Sequence, residues 1–288
     1  MTTFVNTPFG ALEGTEQDGV YRFLGVPFAE KPLGELRFRA PQMVRPWPET
    51  RQATGYEKDP MQANLVLGPE HYSEDCLYLN LWVPETTAKK LPVMVWVPGG
   101  AFATGGSGAV DPEGPSIYDC QQLAKDGGCI VVSISYRLNV FGFLNLSQFS
   151  SRFDDNIGMR DIIMALRWVQ EAIASFGGDP ENVTLVGESA GGEAISALLL
   201  IDEAKPYFHK AIIESNCFGS FYTQEEEREI CELYLQYAGL TADKAEGLLT
   251  LPYEKLIEAG RALDAYVAEH YTGRCSFCPV VDGTFLRD

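Results

Sequence analysis

The chain has 288 residues, of which 45% are hydrophobic and 22% are charged, a composition typical of a folded globular protein and too apolar for a disordered one. Its 40 acidic residues outnumber 22 basic ones, and the net charge of −18 disfavours nucleic acid and anionic lipid as partners because both are negatively charged. No apolar run approaches the ~18 residues that span a bilayer, and the N-terminus has neither the basic nor the apolar region of a secretory signal. We therefore expect an acidic cytoplasmic protein with no nucleic-acid or membrane partner.

Strands and helices alternate through the middle of the chain. Apolar patterns predict strands over 76–83, 91–97, 129–135, 183–187 and 210–215, and helices near 115–126 and over 156–176 and 190–200. The run 91–97 is continuously apolar, which predicts a strand covered on both faces. Residues 223–270 are predicted to be helical, and 275–286 to be extended around a turn at 282–283. Strand–helix–strand order with short links predicts a single α/β domain over 1–288, with a mostly parallel sheet flanked by helices.

The pentapeptide Gly187-Glu188-Ser189-Ala190-Gly191 matches the G-x-S-x-G pattern and lies between a predicted strand and a predicted helix. In that context a serine hydroxyl is presented as a nucleophile at the carboxyl end of a strand. The two glycines let the backbone turn tightly, and the amides of the new helix point toward an anion that forms on a substrate. The alternative interpretation is a tight glycine-rich turn in which Ser189 only caps the helix.

A second glycine-rich segment, Pro98-Gly99-Gly100-Ala101-Phe102, follows the predicted strand 91–97. Its consecutive backbone amides have almost no side chain to block a ligand, and the tetrahedral intermediate of ester hydrolysis needs two or three such donors. The segment alone is equally compatible with a phosphate-binding turn or a flexible connection. The phosphate interpretation is disfavoured because no Gly-Lys-Ser/Thr sequence follows.

At these two motifs the sequence resembles the type-B carboxylesterase and cholinesterase family of α/β-hydrolases, and the resemblance extends over nearly all of the chain. The matching stretches include Ser-Glu-Asp-Cys-Leu-Tyr-Leu-Asn at 73–80 and lie at 19–28, 36–38, 73–80, 136–137, 141–144, 176–180, 183–192 and 279–283. The resemblance implies an α/β-hydrolase fold, Ser189 as nucleophile, and an oxyanion hole built from the backbone amides of Gly100, Ala101 and Ala190. It also implies a structural ion pair between Arg37 and Glu74, and a buried, supporting position for Glu188 behind the serine.

The sequence departs from the family pattern near its end. In the family the triad acid and histidine follow the segment that matches 279–283, whereas this sequence ends at Asp288, so the resemblance covers roughly the N-terminal half and stops before both groups. A serine hydroxyl without a base is a poor nucleophile at neutral pH, and we expect this truncated chain to hydrolyse esters weakly or not at all. Among its three histidines, His209 is expected at the far edge of the sheet and His71 in a polar loop, which leaves His270 as the least unfavourable base.

The segment 273–278 corresponds to a pocket wall in the family, which implies Gly273, Cys275 and Phe277 as substrate-binding residues. Small residues there suggest room for varied acyl groups, as in the broad bacterial carboxylesterases. Cys275 and Cys278 also fit a redox or metal motif, which we disfavour because the pair lies in an extended segment and no second ligand pair exists. No metal or cofactor is implied, and free thiols are expected because family disulfide partners are missing.

These expectations describe a serine carboxylesterase that hydrolyses small-molecule esters through a Ser189 acyl-enzyme. The predicted strand 210–215 would leave an unpaired edge with apolar surface, through which copies of the chain can self-associate. The rival interpretation is a non-catalytic binding or scavenger protein that uses the same pocket. The intact serine turn disfavours that rival, because a pure binder has no need of the serine.

Overall fold

The computed structural model describes residues 1–62, 68–108, 118–216, 221–271 and 273–287. Within these ranges the strands are β1 (Thr2–Thr7), β2 (Gly10–Gln17), β3 (Val20–Pro27), β4 (Arg51–Gln52), β5 (Asp59–Pro60), β6 (Tyr72–Ser73), β7 (Tyr78–Pro84), β8 (Leu91–Val97), β9 (Ile130–Ile134), β10 (Gly178–Glu188), β11 (Lys210–Glu214), β12 (Tyr222–Thr223) and β13 (Val280–Val281). The α-helices are α1 (Gln121–Gly127), α2 (Asn139–Phe143), α3 (Ile157–Ala172), α4 (Ala190–Leu200), α5 (Gln224–Tyr237) and α6 (Tyr253–His270). None of the helices in the described ranges is both long and apolar enough to cross a membrane.

The main sheet carries its strands in the order β1-β2-β3-β7-β9-β8-β10-β11, with the short β4 beside β2. Neighbouring strands are antiparallel from β1 through β7 to β9, and parallel from β9 through β8 and β10 to β11. The α/β class predicted from the sequence is confirmed. The sheet is mixed, however, and the parallel pairing that was expected for most of it is concentrated in the half that contains β8 and β10.

A tight hairpin turn explains part of the antiparallel half. In the register of β2 and β3, Gln17 lies opposite Val20, so Asp18 and Gly19 form a two-residue loop. Both loop residues have positive φ, 53° and 79°, as a hairpin turn of this length requires, and Asp-Gly is a favoured sequence for it. The strand predictions, which begin at residue 76, miss this hairpin although its signal is local.

The strands and helices predicted from residue 76 onward are present, several of them with different bounds. β10 begins five residues before the predicted strand 183–187, the region 223–270 is α5 and α6 with a 3-10 segment at Ala242–Leu249 between them, and the predicted extended end 275–286 contains only the short β13. β8 and α4 have the predicted bounds, and the predicted helix 156–176 is α3 followed by a 3-10 turn at Ile173–Phe176. It ends at Gly177, whose φ of 83° is left-handed. The predicted helix near 115–126 is α1, which begins only at Gln121: residues 118–120 are not helical, and 115–117 lie outside the described ranges.

The expectation that β8 is covered on both faces is wrong for one face. Val93, Val95 and Val97 are buried, whereas Met94 and Trp96 on the other face are only half-buried. The continuous apolar run is nevertheless a strand, because alternate side chains point to opposite faces and one face packs into the main core. Hydropathy alone does not distinguish a fully covered strand from one with a partly open apolar face.

Helices cover both faces of the sheet. Along β7, Leu81 and Val83 belong to the main core, which also contains the buried residues of α3 and α4, whereas Trp82 belongs to a smaller core. The smaller core includes Ala124 of α1, so α1 covers the opposite face. This two-sided arrangement holds the carboxyl ends of β8 and β10 between packed layers.

We use the name α5–α6 layer for α5, α6, β12 and β13 and the segments that connect them. Arg37 and Glu74 form the expected ion pair, with Arg37 Nε donating to Glu74 Oε2 over 2.7 Å. Arg37 Nη1 also donates to the carbonyl of Leu251 over 2.8 Å. Asn156, before α3, pairs with the backbone of Val280 on both sides, at 3.0 Å as donor and 2.9 Å as acceptor. These side chains attach the α5–α6 layer to the sheet.

Candidate active site

Ser189 stands at a sharp turn between β10 and α4. Its φ of 55° and ψ of −125° lie outside the regions that L-residues ordinarily adopt, a conformation that costs about 1–3 kcal/mol and persists only when the surroundings enforce it. The Ser189 amide donates to the carbonyl of Glu214 in β11 over 2.9 Å, and the Ser189 carbonyl accepts from the amide of Glu193 over 2.9 Å. The backbone on both sides of Ser189 is therefore fixed, and the side chain is half-exposed.

The glycines on either side of Ser189 are required by space. A Cβ added at Gly187 would lie 2.6 Å from the carbonyl carbon of Gly191, and one added at Gly191 would lie 2.1 Å from the carbonyl oxygen of Val97. Both distances are shorter than real Cβ contacts, so the first turn of α4 can approach β10 and the end of β8 only with glycine at these positions. The spacing of the pentapeptide thus has a direct steric cause.

The segment Pro98–Phe102 lies against this turn. A Cβ added at Gly99 would lie 2.5 Å from the carbonyl oxygen of Glu188 and 3.3 Å from Cβ of Ser189, so the two motifs are in direct backbone contact. The segment is anchored on both sides. Tyr136 Oη donates to the carbonyl of Pro98 over 2.6 Å, and the buried ring of Phe102 lies 4.5 Å from that of Phe143.

Backbone conformation turns the amides of this segment away from regular hydrogen bonding. Gly100, Ala101 and Phe102 all have positive φ, at 115°, 53° and 56°. The Gly100 carbonyl accepts from the amides of Ala103 and Thr104, at 3.0 and 2.9 Å. In the described part of the chain, the amides of Gly100, Ala101 and Ala190 have no backbone acceptor in the loops and turns. Gly100 and Ala101 lie in the segment that contacts the serine turn, and Ala190 directly follows Ser189.

The expectation that Glu188 lies buried behind the serine is wrong, because Glu188 is exposed. Glu188 is the last residue of β10, at the carboxyl end of the strand. Burial raises the pKa of Tyr118, and the charge of Glu188 raises it further. The buried carboxylate nearest in sequence is Glu193, in the first turn of α4, with 3% of its surface exposed. Only the tertiary packing distinguishes these two acids.

Each of the three histidines contacts groups other than Ser189. His209 lies next to the first residue of β11, at the end of the parallel pair opposite Ser189, and its Nδ1 accepts from the Val183 amide over 3.3 Å, as expected. His71 is exposed beside Glu70, and His270 is exposed at the end of α6, stacked 4.0 Å from the ring of Tyr266. Within the described ranges, none of the three histidines has a hydrogen bond to Ser189.

The segment 273–278 lies within the α5–α6 layer, between α6 and β13. Gly273 is exposed with φ 79°, and Cys275 is half-buried, with its carbonyl accepting from Tyr222 Oη over 2.8 Å. A hydrogen bond with the Cys278 side chain lowers the pKa of Cys275, and burial and the charges of Asp264 and Glu193 oppose that lowering. Phe277 is only 1% exposed and belongs to the main core, so its ring lies behind the surface.

No three His, Cys, Asp or Glu residues of the described ranges are grouped in a way that could hold a metal ion. At the carboxyl ends of β8 and β10 stand the hydroxyl of Ser189, on a fixed and strained backbone, and neighbouring backbone amides. That arrangement is suited to the attack of an oxygen nucleophile on an electrophilic carbon whose oxygen becomes negatively charged.

Comparisons with known proteins cover the whole chain. The model of the carboxylesterase family matches residues 1–288. Para-nitrobenzyl esterase of Bacillus subtilis (strain 168) is 41% identical over 264 residues, which cover 90% of this chain and 53% of that protein. Carboxylesterase 5A of Homo sapiens is 40% identical over 284 residues, which cover 92% of this chain and 46% of that protein. The chain spans about half the length of the curated relatives it matches.

Solved structures agree with the sequence matches. A structure titled PNB esterase superposes with a TM-score of 0.91 at 39% identity, over 100% of this chain and 59% of that chain. A carboxylesterase of Geobacillus stearothermophilus superposes with a TM-score of 0.87 at 38% identity, over 99% of this chain and 57% of that chain. At this similarity the predicted α/β-hydrolase fold is confirmed.

Proposed function

Since this chain belongs to the carboxylesterase family, we propose that it carries the nucleophile and the oxyanion hole of a carboxylic-ester hydrolase. In this proposal Oγ of Ser189 attacks the carbonyl carbon of a small-molecule ester while a base takes the hydroxyl proton, and the alcohol leaves as the acyl-enzyme forms. Water then hydrolyses the acyl-enzyme and restores the serine. The scheme needs no metal or cofactor.

The observation that carries the proposal is the strained backbone of Ser189 in contact with the Pro98–Phe102 segment. A strained residue held by glycines that cannot be replaced is expected where the strain serves a reaction. In the proposal the amides of Gly100, Ala101 and Ala190 donate to the oxyanion of the tetrahedral intermediate. Each such donor typically contributes about 3 kcal/mol to the stability of the transition state.

The segment 273–278 is proposed to form the wall against the acyl group. Gly273 and Cys275 have exposed surface and would meet the substrate, whereas Phe277 would shape the wall from behind. The absence of a large exposed side chain at Gly273 supports an ester with a bulky or variable acyl group. The name of the para-nitrobenzyl relative supports aromatic alcohol groups as well.

The residues of the proposed site do not include a base that accepts the proton of Ser189. Because none of the three histidines has a hydrogen bond to Ser189 within the described residues, we propose that the 288-residue chain alone turns over esters slowly or not at all. In the test, imidazole in solution takes the place of a histidine side chain as the base. We expect added imidazole to accelerate hydrolysis of p-nitrophenyl butyrate by the chain, because the imidazole nitrogen can accept the serine proton at neutral pH.

The test compares the chain with two variants over a range of imidazole concentrations. Ser189→Ala is expected to hydrolyse the ester only at the rate of imidazole in buffer. Ser196→Ala, which removes a hydroxyl within α4, is expected to keep the acceleration. Equal rates for the chain and for Ser189→Ala at every concentration would contradict the proposal. Hydrolysis that depends on Ser189 without imidazole would instead mean that a base within the chain reaches the serine.

The competing function is a non-catalytic binding or scavenger protein. The observation in its favour is that none of the three histidines has a hydrogen bond to Ser189 in the described ranges. The strained serine turn favours the hydrolase, because a binder gains nothing from that conformation. Tight ester binding measured by calorimetry, without any acceleration by imidazole, would favour the binding protein.

A further inference from the structure

Cys275 and Cys278 form a pair that the proposed ester chemistry does not use. The chain bends at Ser276 and Phe277, and Sγ of Cys278 donates to the carbonyl of Cys275 over 3.4 Å. Cys275 is half-buried, whereas the side chain of Cys278 is completely buried. One thiol can therefore meet a reagent from solution, and the other can react only with its neighbour.

The two thiols differ in acidity because the Cys278 thiol lies against Cys275 and is more deeply buried. A hydrogen bond from the Cys278 thiol lowers the pKa of Cys275 to about 7, against the effects of burial and of the charges of Asp264 and Glu193, which raise it. The same hydrogen bond and burial raise the pKa of Cys278 well above its usual value. A reachable thiolate beside a protonated, shielded thiol is the arrangement found in reactive dithiols.

The other described cysteines lack these properties. Cys76, Cys120, Cys129 and Cys231 are buried, and burial is the first cause of the raised pKa of each. The sequence alone disfavours a redox role for Cys275 and Cys278 because they do not begin a helix. In the structure the Cys278 thiol donates to the carbonyl of Cys275, so the two cysteines are adjacent without a helix.

We propose that Cys275 and Cys278 are a redox-active dithiol that is oxidised reversibly to a disulfide by a low-molecular-weight disulfide such as oxidised glutathione. The Cys275 thiolate attacks one sulfur of the small disulfide, forms a mixed disulfide and releases one thiolate, which takes up a proton. Cys278 then loses its proton and attacks the Cys275 sulfur, which closes the intramolecular bond and releases the second small thiol. The two cysteines lose two electrons and two protons, and the small disulfide gains them.

The location of the pair gives the oxidation a consequence for the site. Cys275 lies in the proposed acyl wall, and its carbonyl accepts from Tyr222 of β12, which pairs with β13. A disulfide from 275 to 278 would fix the bend at 276–277 and remove the thiolate from the wall. This consequence rests on the proposed function, whereas the formation of the disulfide does not.

The test is a mass measurement that is independent of ester hydrolysis. Trypsin cleaves after Arg274 and Arg287, so both cysteines fall on one peptide, 275–287, that contains no other cysteine. The folded chain is equilibrated in buffers of increasing oxidised-to-reduced glutathione ratio, free thiols are trapped by alkylation, and the peptide is weighed. We expect the unalkylated peptide, lighter by two hydrogens than the dithiol, to replace the doubly alkylated one, and reducing buffer to reverse the change.

Two variants test the mechanism, and both are checked for folding by thermal unfolding. Cys278→Ala is expected to stop at a mixed disulfide on Cys275 and to slow its alkylation at pH 7 about fivefold, because the loss of thiolate outweighs the higher nucleophilicity of the more basic sulfur. Cys129→Ala, which removes a buried cysteine elsewhere, is expected to leave both results unchanged. A peptide that stays alkylated in every buffer, or a stable mixed disulfide in the unaltered chain, overturns the proposal.

Discussion

The rim formed by residues 97–101 and 187–191 is held together differently from the α5–α6 layer. At the rim, backbone touches backbone. The first turn of α4 approaches the Val97 carbonyl so closely at Gly191 that no Cβ fits, and the Ser189 amide binds the Glu214 carbonyl. Such contacts leave no freedom in the position of the serine.

In the α5–α6 layer, side chains reach backbone groups that are distant in the sequence. Arg37 donates to Leu251, Tyr222 donates to Cys275, and Tyr234 donates to Leu256 over 2.8 Å. Each of these bonds can be weakened without a steric clash. We infer that the proposed reacting groups are held by backbone contacts, whereas the proposed acyl wall is held by side chains. Substrate preference can therefore change at the wall with little cost to stability.

The largest expected effect comes from breaking the backbone contact at the rim. Gly191→Ala places a Cβ 2.1 Å from the Val97 carbonyl oxygen, and because the contact is with backbone we expect a loss of about 3 kcal/mol or more in the free energy of unfolding. Urea unfolding followed by circular dichroism measures the change. Gly55→Ala is the matched control, since nothing lies within 4 Å of its added Cβ. Equal losses in both variants would contradict a specific steric role for Gly191.

A smaller, pH-dependent effect is expected in the α5–α6 layer. Burial raises the pKa of Glu227 to about 8, although Asn145 donates to the carboxylate from its amide and its side chain. The folded chain therefore binds a proton that the unfolded chain loses near pH 4.5, so this group stabilises the fold at low pH. Its contribution is lost as pH rises toward 8, by roughly 1 kcal/mol per pH unit.

Glu227→Gln removes this titration while keeping the shape of the side chain. We expect the free energy of unfolding of the variant to change less between pH 5 and pH 8 than that of the unaltered chain. Glu225→Gln, an exposed position on the same helix, is expected to leave the pH dependence as it is. Parallel pH profiles for all three proteins would show that Glu227 is charged in the folded chain.

The smallest effect on stability is expected at the sheet edge beside the rim. Within the described ranges β11 pairs only with β10, and Ile212 on it is 42% exposed. If copies associate through this edge, as we propose, Ile212→Lys lowers association in sedimentation experiments while changing the free energy of unfolding by only about 0.5 kcal/mol. Phe4→Lys, on the opposite edge strand, is the control. Association that persists in Ile212→Lys contradicts this role of the edge.

Local signals account for the parts of the fold that could be predicted. β8 and α4 have the predicted bounds because each is a short apolar run bounded by glycine, proline or a change in period. The β2–β3 hairpin was equally predictable from Asp18-Gly19, since that turn depends on only two residues. The mixed order of the sheet was not, because strand direction depends on which strands become neighbours.

The sequence by itself determined where the serine and the glycine-rich segment stand, because a strained turn and a close backbone approach need glycine at fixed spacing. Only the tertiary structure decided the rest of the site. It exposes Glu188 and buries Glu193, and it brings the Cys278 thiol against Cys275. Burial and contact of this kind depend on elements far apart in the chain, and no short pattern of residues encodes them.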